Sequence, residues 1–531
     1  LAALPEILSK KWTLVKFYMG SLEQIRQLIA SMSHEERLVA KNMLHGFTVR
    51  GSDSESPLTK LYDLICREIE SNQYFSFKEL EISIYGEPTA TGFPKLILRL
   101  REKLIETFIL NVNLNRKGNF SERGKALHKL RKRLSEAQIL YHRGLTDFAI
   151  SLLNDSEKEA LKFEFFEECL IALRTSAELL AIMGKKKQSY SKQIEYDRVC
   201  KLMQFTKKVQ SYYFELAYQV ENSAVPISTE ILKSRIADAK MQFKEQSTLT
   251  AKFYLTFVET HYLQEQKLFI RASAVLEKQL KINNQHKYFF NDEQNVLLRL
   301  NFAWNELFTH NFQNAIKIVS TCENLLPDKA FNKLQAGIIK FHAHYYDGQY
   351  DLAEMELDKL DLIDNTDDSE FRAGKRTYYR ACIRYMKAKN KEVNELLRNL
   401  ISIEKDTEGW NIWVQFLLII NDIELELTEN AFTRITNLRN KISKIHSSIP
   451  QQNRIILIYD VLRCLSNNKF DFAQVRKKKL NELSQLSDRS LFSWDVLTPE
   501  LISIDQWFYS KLFKKPFKQT IPDYWEPAQT A

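Results

Sequence analysis

The sequence predicts an all-α chain: antiparallel helix pairs stacked one after another, behind a small helical N-terminal domain. Three observations carry this expectation. Glycine is scarce, at 13 residues in 531, far below the usual ~7%, and the tight turns that join strands depend on it. Apolar residues recur at helical spacing, as Leu297, Leu300, Trp304, Leu307 and Phe308 do. A compact side chain also returns at Ala274, Ala315, Ala353, Val393, Ala431 and Ala473, at intervals of 41, 38, 40, 38 and 42 residues by subtraction. Intervals this even are the mark of an α-solenoid, in which each helix pair touches only its neighbours.

Taken in order, residues 1–18 read as a non-native or disordered leader, with Met19 as a candidate initiator. An N-terminal helical domain follows over 19–125, then the helix pairs over 126–485, then a C-terminal capping segment over 486–531. In the N-terminal domain Ser33 with Glu36, and Ser76 with Glu79, form capping boxes that place helix starts near 34 and 77. Gly51 to Pro57 reads as a loop, Leu58 to Ile69 as a helix, and Phe93 to about Leu110 as a long helix.

Among the helix pairs, Gln294 to Phe308 and Phe312 to Leu325 are separated by a break at Thr309 to Asn311, and the second helix stops before Pro327. An aromatic residue stands three positions before the compact one at Phe312, Tyr350 and Phe470. Its ring is expected to close the hairpin turn, while the small side chain lets the two helices approach. From about Tyr190 to Thr250 helices are expected, but no repeat register is legible. Trp507, Phe508, Phe513, Phe517, Tyr524 and Trp525 lie among Pro516, Pro522 and Pro527 and read as a tail over the last repeat.

Gly348-Gln349-Tyr350-Asp351-Leu352-Ala353, preceded by Tyr345 and Tyr346, resembles the middle of a tetratricopeptide repeat. So does Tyr141-His142-Arg143-Gly144 leading to Ala149. The intervals near 40 are longer than that family's ~34 residues. The resemblance covers about Ala137 to Leu480 and implies a concave groove that takes a peptide or partner helix. Phe77-Lys78-Glu79-Leu80 through Tyr85-Gly86, with Leu98 to Leu104, is similar to the end of a winged-helix or helix-turn-helix domain. That second resemblance implies DNA contact and makes Asn111 to Phe120 the wing.

The chain lacks the motifs of most catalytic classes. No two glycines stand in a G-x-G arrangement, none precedes Lys-Ser or Lys-Thr, and neither H-E-x-x-H nor G-x-S-x-G occurs. The six cysteines form no C-x-x-C, which speaks against a zinc site or disulfide framework and for a reducing cytoplasm. His342 and His344, two apart on a helix, point in different directions and do not suggest a metal. No apolar stretch approaches the ~20 residues of a membrane span. No catalytic, cofactor-binding or metal-ligating residue is assigned.

Charge is concentrated. Residues 95–133 hold twelve basic and three acidic residues, a local net of +9 that equals the net charge of the whole chain. Lys95, Arg99 and Lys103 share one face of the Phe93 helix with Arg101 nearby, and Arg131, Lys132 and Arg133 close the run. Such a face suits phosphate neutralisation. A solvated helix face beside a basic linker explains the same charges and is the preferred reading. Two functional readings follow. The first is a non-enzymatic scaffold that binds a protein or peptide partner in the groove. The alternative is a DNA-binding transcriptional regulator in which residues 95–133 meet nucleic acid and the repeats sense a partner or dimerise; the oligomeric state is left open.

Overall fold

The computed structural model describes residues 20–46, 56–89, 91–110, 121–222, 228–325, 331–363, 369–398, 400, 403, 409–443, 450–488, 491–492, 496 and 498–520. The leader 1–18, Met19 and the segment Asn111–Phe120 read as a wing lie outside them. Among the described residues every regular element is helical and no strand occurs. The chain separates into two compact units, Leu1–Ser121 and Glu122–Ala531.

The first unit holds α1 (20–31), α2 (His34–Gly46), α3 (Pro57–Ser71), α4 (Phe77–Tyr85) and α5 (Gly92–Leu110). Both capping boxes form: the Glu36 amide donates to Ser33 Oγ at 3.2 Å and the Ser33 amide to Glu36 Oε2 at 2.7 Å, with Ser76 and Glu79 making the same pair of bonds. Ile25, Leu61, Ile65, Phe93, Ile97 and Leu100 meet in one core. Arg26 spans its edge, donating from Nη2 to Glu68 Oε1 at 2.9 Å and lying over the Tyr74 ring at 4.1 Å.

The second unit runs through α6 (Glu122–His142), α7 (Thr146–Lys162), α8 (Phe166–Ile182), α9 (Lys186–Asn222), α10 (Thr229–Gln242), α11 (Leu249–Glu265) and α12 (Phe269–Gln285). It continues with α13 (Asp292–Phe308), α14 (Phe312–Ser320), α15 (Phe331–Tyr346), α16 (Tyr350–Ile363), α17 (Ser369–Met386) and α18 (Asn390–Arg398). α19 (Trp410–Glu424), α20 (Thr428–Ile442), α21 (Pro450–Asn467), α22 (Phe472–Lys478), α23 (Leu480–Ser487) and α24 (Ile504–Leu512) complete it. Helices adjacent in sequence pack on one another throughout.

One joint recurs along this unit. A single residue with left-handed backbone joins one helix to the next: Gly144, Gly184, Lys267, His310, Gly348, Ala388 and Glu426 within pairs and Glu164 between two of them, with φ between 56° and 80°. The amide of the next residue then donates back across the helix end, as Leu268 does to the Leu263 carbonyl and Asn311 to the Glu306 carbonyl, both at 2.8 Å. This is the Schellman cap, which satisfies carbonyls that a helix end would otherwise leave without partners. At seven of these eight joints the fifth residue after the turn residue is then driven into the hairpin, Ser189 after Gly184 being only partly buried. Ala149, Cys169, Ala272, Ala315, Ala353, Val393 and Ala431 all have no exposed surface.

The joint corrects two of the compact positions. Ala274 and Ala473 are exposed; the residues packed into their hairpins are Ala272 and Val475, two places away in each case. The register is counted from the left-handed residue, and there Lys267 and Phe470 carry side chains that do not announce such a turn. Phe470 is therefore part of the turn, and the aromatic residue three before the packed position is Phe472 in this pair and Phe269 in α12. The stretch that showed no register contains α9, a helix of 37 residues, and α10, which stands outside the alternation. The C-terminal prolines do not prevent a helix: α24 forms ahead of Pro516.

Candidate functional site

Within the second unit, successive first helices of the pairs touch directly, α13 with α15 and α17 with α19. The face that they share carries a non-helical stretch of the chain's own C-terminal segment. Tyr345 and Tyr346 on α15 donate their hydroxyls to the Leu501 and Val496 carbonyls, each at 3.2 Å. From α17, Tyr378 donates to the Pro499 carbonyl at 2.7 Å. Burial pushes the Tyr345 and Tyr378 phenols well above their ordinary pKa, so they remain donors. All three bonds go to main-chain carbonyls, which every residue type carries, so they hold a non-helical segment whatever its side chains are.

Side chains anchor the segment at its far end. Glu424, at the end of α19, accepts from Trp507 Nε1 and from Lys511 Nζ, both at 2.6 Å. On α21, Arg454 donates from Nη2 to Glu500 Oε1 at 2.7 Å and to Asp505 Oδ1 at 2.8 Å. Burial works against the guanidinium charge, but the two carboxylates outweigh it and hold its pKa above the ordinary value. Leu501, Trp507 and Phe508 have no exposed surface. The segment therefore reaches across α15, α17, α19 and α21, well beyond the last repeat that the sequence suggested it would cover. Tyr524 and Trp525 lie outside the described residues.

The equivalent face of the first pairs is open. α6 and α8 stand side by side over α7 and leave a cleft of about 770 Å3, lined among others by Arg131, Tyr141, His142, Ile171, Arg174 and Ile182. Ile171 and Ile182 are 45% and 70% exposed there. Arg131 pairs with Glu168 at 2.8 Å, while Arg174 has no ion-pair partner among the described residues. The cleft offers an apolar wall with charge at its rim.

The basic residues singled out from the sequence fall in both units. Lys95 and Arg99 are exposed on α5, Arg101 is half-buried, and Lys103 pairs with Glu106 at 2.7 Å. On α6, Arg131, Lys132 and Arg133 each meet a carboxylate, Glu168, Glu136 and Glu159 respectively. Arg123 is a packing residue, lying 4.4 Å from the Phe289 ring centroid and donating to the Phe163 carbonyl at 3.1 Å. His342 and His344 are both buried on α15. Among the described residues no group of His, Cys, Asp or Glu could hold a metal ion, and no helix is long and apolar enough to cross a membrane.

No protein-family model matches the chain, and no curated protein matches it. The C-terminal segment's three carbonyl contacts were not legible in advance, because the partners of Tyr345, Tyr346 and Tyr378 lie 121 to 156 residues away.

Proposed function

We propose that this chain is a non-enzymatic interaction scaffold, an α-solenoid of tetratricopeptide-like hairpins that binds an extended segment of a protein partner along the face formed by its first helices. One observation carries the reading: the C-terminal segment is held on that face through its main-chain carbonyls by Tyr345, Tyr346 and Tyr378. A surface that orders a non-helical chain through its carbonyls in this way has the chemistry for a second one, and the open cleft of α6 and α8 supplies the room. Ile171 and Ile182 would seat apolar side chains of the partner and Arg174 a carboxylate.

The test is a peptide-display selection against the full chain, with affinities of the selected peptides measured on the wild type and on Ile171→Glu and Arg174→Glu variants. Convergence on one peptide pattern, with affinity reduced at least about tenfold by either change, supports the scaffold. Failure to enrich any pattern, or enrichment indifferent to both changes, counts against it.

A second reading is favoured by Lys95 and Arg99, exposed on α5 without an ion-pair partner among the described residues. In it the first unit is a winged-helix-like domain that holds DNA phosphates and the second senses a partner. Titration of generic duplex DNA against the wild type and a Lys95→Glu/Arg99→Glu variant tests it. Salt-sensitive binding that the variant loses supports this reading, and equal binding by both proteins excludes it.

A further inference from the structure

Two lysine-rich stretches far apart in the sequence meet at the C-terminal end of the second unit. The first is Arg476, Lys477, Lys478 and Lys479, on α22 and just past it. The second is Lys511, Lys514, Lys515 and Lys518, at the end of α24 and beyond it. α22 packs on α24, with the Phe472 and Trp507 rings 5.9 Å apart and the Arg476 guanidinium 5.0 Å from the centroid of Phe513. These contacts fasten the two stretches into one patch. Lys479 and Lys511 are engaged by Glu482 and Glu424. Lys477, Lys514, Lys515 and Lys518 are exposed and have no ion-pair partner among the described residues.

Beside them stand two exposed aromatic rings. Tyr509 and Phe513, one helical turn apart, lie with centroids 5.9 Å apart and planes inclined by only 6°. No exposed aliphatic side chain accompanies them on α24.

We propose that this patch binds single-stranded nucleic acid, with backbone phosphates on the lysines and a base stacked on the Tyr509–Phe513 pair. Lysine is a point charge on a flexible stem and neutralises phosphate without reading sequence. Aromatic rings next to such charges can stack only on bases that are not already stacked in a duplex. An anionic bilayer would instead call for a continuous apolar helix face free to enter the acyl region. The apolar face of α24, Ile504, Trp507 and Phe508, is buried within the unit, and among the described residues Leu480 is the lone exposed aliphatic side chain beside the lysines. The patch is built from other residues than the α6–α8 cleft proposed for a protein partner.

The experiment is fluorescence anisotropy of a labelled oligouridylate of about 20 nucleotides with the full chain at about 50 and 200 mM salt. Micromolar binding that weakens at least about tenfold at the higher salt is expected. A Lys477→Glu/Lys514→Glu/Lys515→Glu variant, with its melting temperature checked, should bind at least about tenfold more weakly, and Tyr509→Ala at least about fivefold. Absence of binding at low salt, or undiminished binding by the charge-reversed variant, overturns the proposal. Two controls do the same: duplex bound as tightly as single strand with Tyr509→Ala silent, or phosphatidylserine vesicles bound while the oligonucleotide is not.

Discussion

Asn305 and Asn421 make the same hydrogen bond in two different helix pairs. Each buried amide nitrogen donates to the carbonyl that opens the second helix of the preceding pair, Phe269 at 2.8 Å and Asn390 at 3.0 Å. Each also reaches the residue four places further along that helix, Ser273 at 2.8 Å and Asn394 at 3.1 Å. The amide thus fixes how one pair stacks on the next. Asn305→Leu and Asn421→Leu should each lower stability by about 1–3 kcal/mol, because the partner groups are left buried and unsatisfied. Urea unfolding midpoints measure this, and an unchanged midpoint would mean that the bond contributes nothing to stacking.

The packed position of α12 separates two substitutions only two residues apart. Ala272 has no exposed surface and Ala274 is exposed. Ala272→Leu should overpack the hairpin and cost about 1–3 kcal/mol, whereas Ala274→Leu should stay within about 0.5 kcal/mol of the wild type. Thermal melts of the two variants side by side decide the register.

At the turn residue, equivalent positions carry opposite chemistry. Gly348 has φ of 77° and Ala388 has φ of 56°. A Cβ in the left-handed region costs about 1–2 kcal/mol, so Gly348→Ala should destabilise and Ala388→Gly should stabilise by up to about 1 kcal/mol. Differential scanning calorimetry would show melting temperatures moving in opposite directions.

Removing hydroxyls from the groove tests how the C-terminal segment is held. Tyr345→Phe and Tyr378→Phe keep the rings, yet each deletes one bond to the Leu501 or Pro499 carbonyl, worth about 0.5–1.5 kcal/mol. Amide exchange over residues 496–512 should quicken in both variants and most in the double variant. Exchange as slow as in the wild type would show that Arg454 and Trp507 hold the segment unaided.

His342 makes the fold sensitive to acid. Burial first, and Lys375 second, push its pKa down from 6.5 to about 3; Phe341 lies 4.9 Å away and Tyr379 5.7 Å, ring centre to ring centre. Between these two values the unfolded chain takes up a proton that the folded chain does not. Stability present at neutral pH is therefore lost as the pH falls below 6.5, by about 1.4 kcal/mol per pH unit until the folded pKa is reached. A His342→Phe variant should lack this increment, so wild type and variant, compared by urea unfolding at pH 7 and pH 5, should diverge at the lower pH.

What could be read in advance follows from how local each signal is. Helices are written in the spacing of neighbouring residues, so α13 and α14 and the capping boxes at Ser33 and Ser76 were legible. Ala315, Ala353, Val393 and Ala431 were legible from their even intervals, although of their turn residues only Gly348 is a glycine. The left-handed turn at Lys267 was not, because a lysine adopts that backbone only when the helices on both sides require it. The meeting of Arg476 with Phe513 across α22 and the end of α24, and of Tyr346 with Val496, depends on the return of the C-terminal segment. No periodicity in the sequence encodes that path.

An array of nearest-neighbour contacts tends to open from whichever end is looser. Here the C-terminal segment ties α21 and α24 back to α15, so the last pair cannot fray without also releasing Tyr345, Tyr346 and Tyr378. Helices α15 to α24 should then melt as one cooperative block. The pairs α6–α7 and α8–α9 are tied at one end instead, where Arg123 lies 4.4 Å from the Phe289 ring centroid and the Thr250 amide donates to Glu164 at 2.9 Å, so that end is fixed while the Ile171 and Ile182 wall of the cleft stays exposed to a partner.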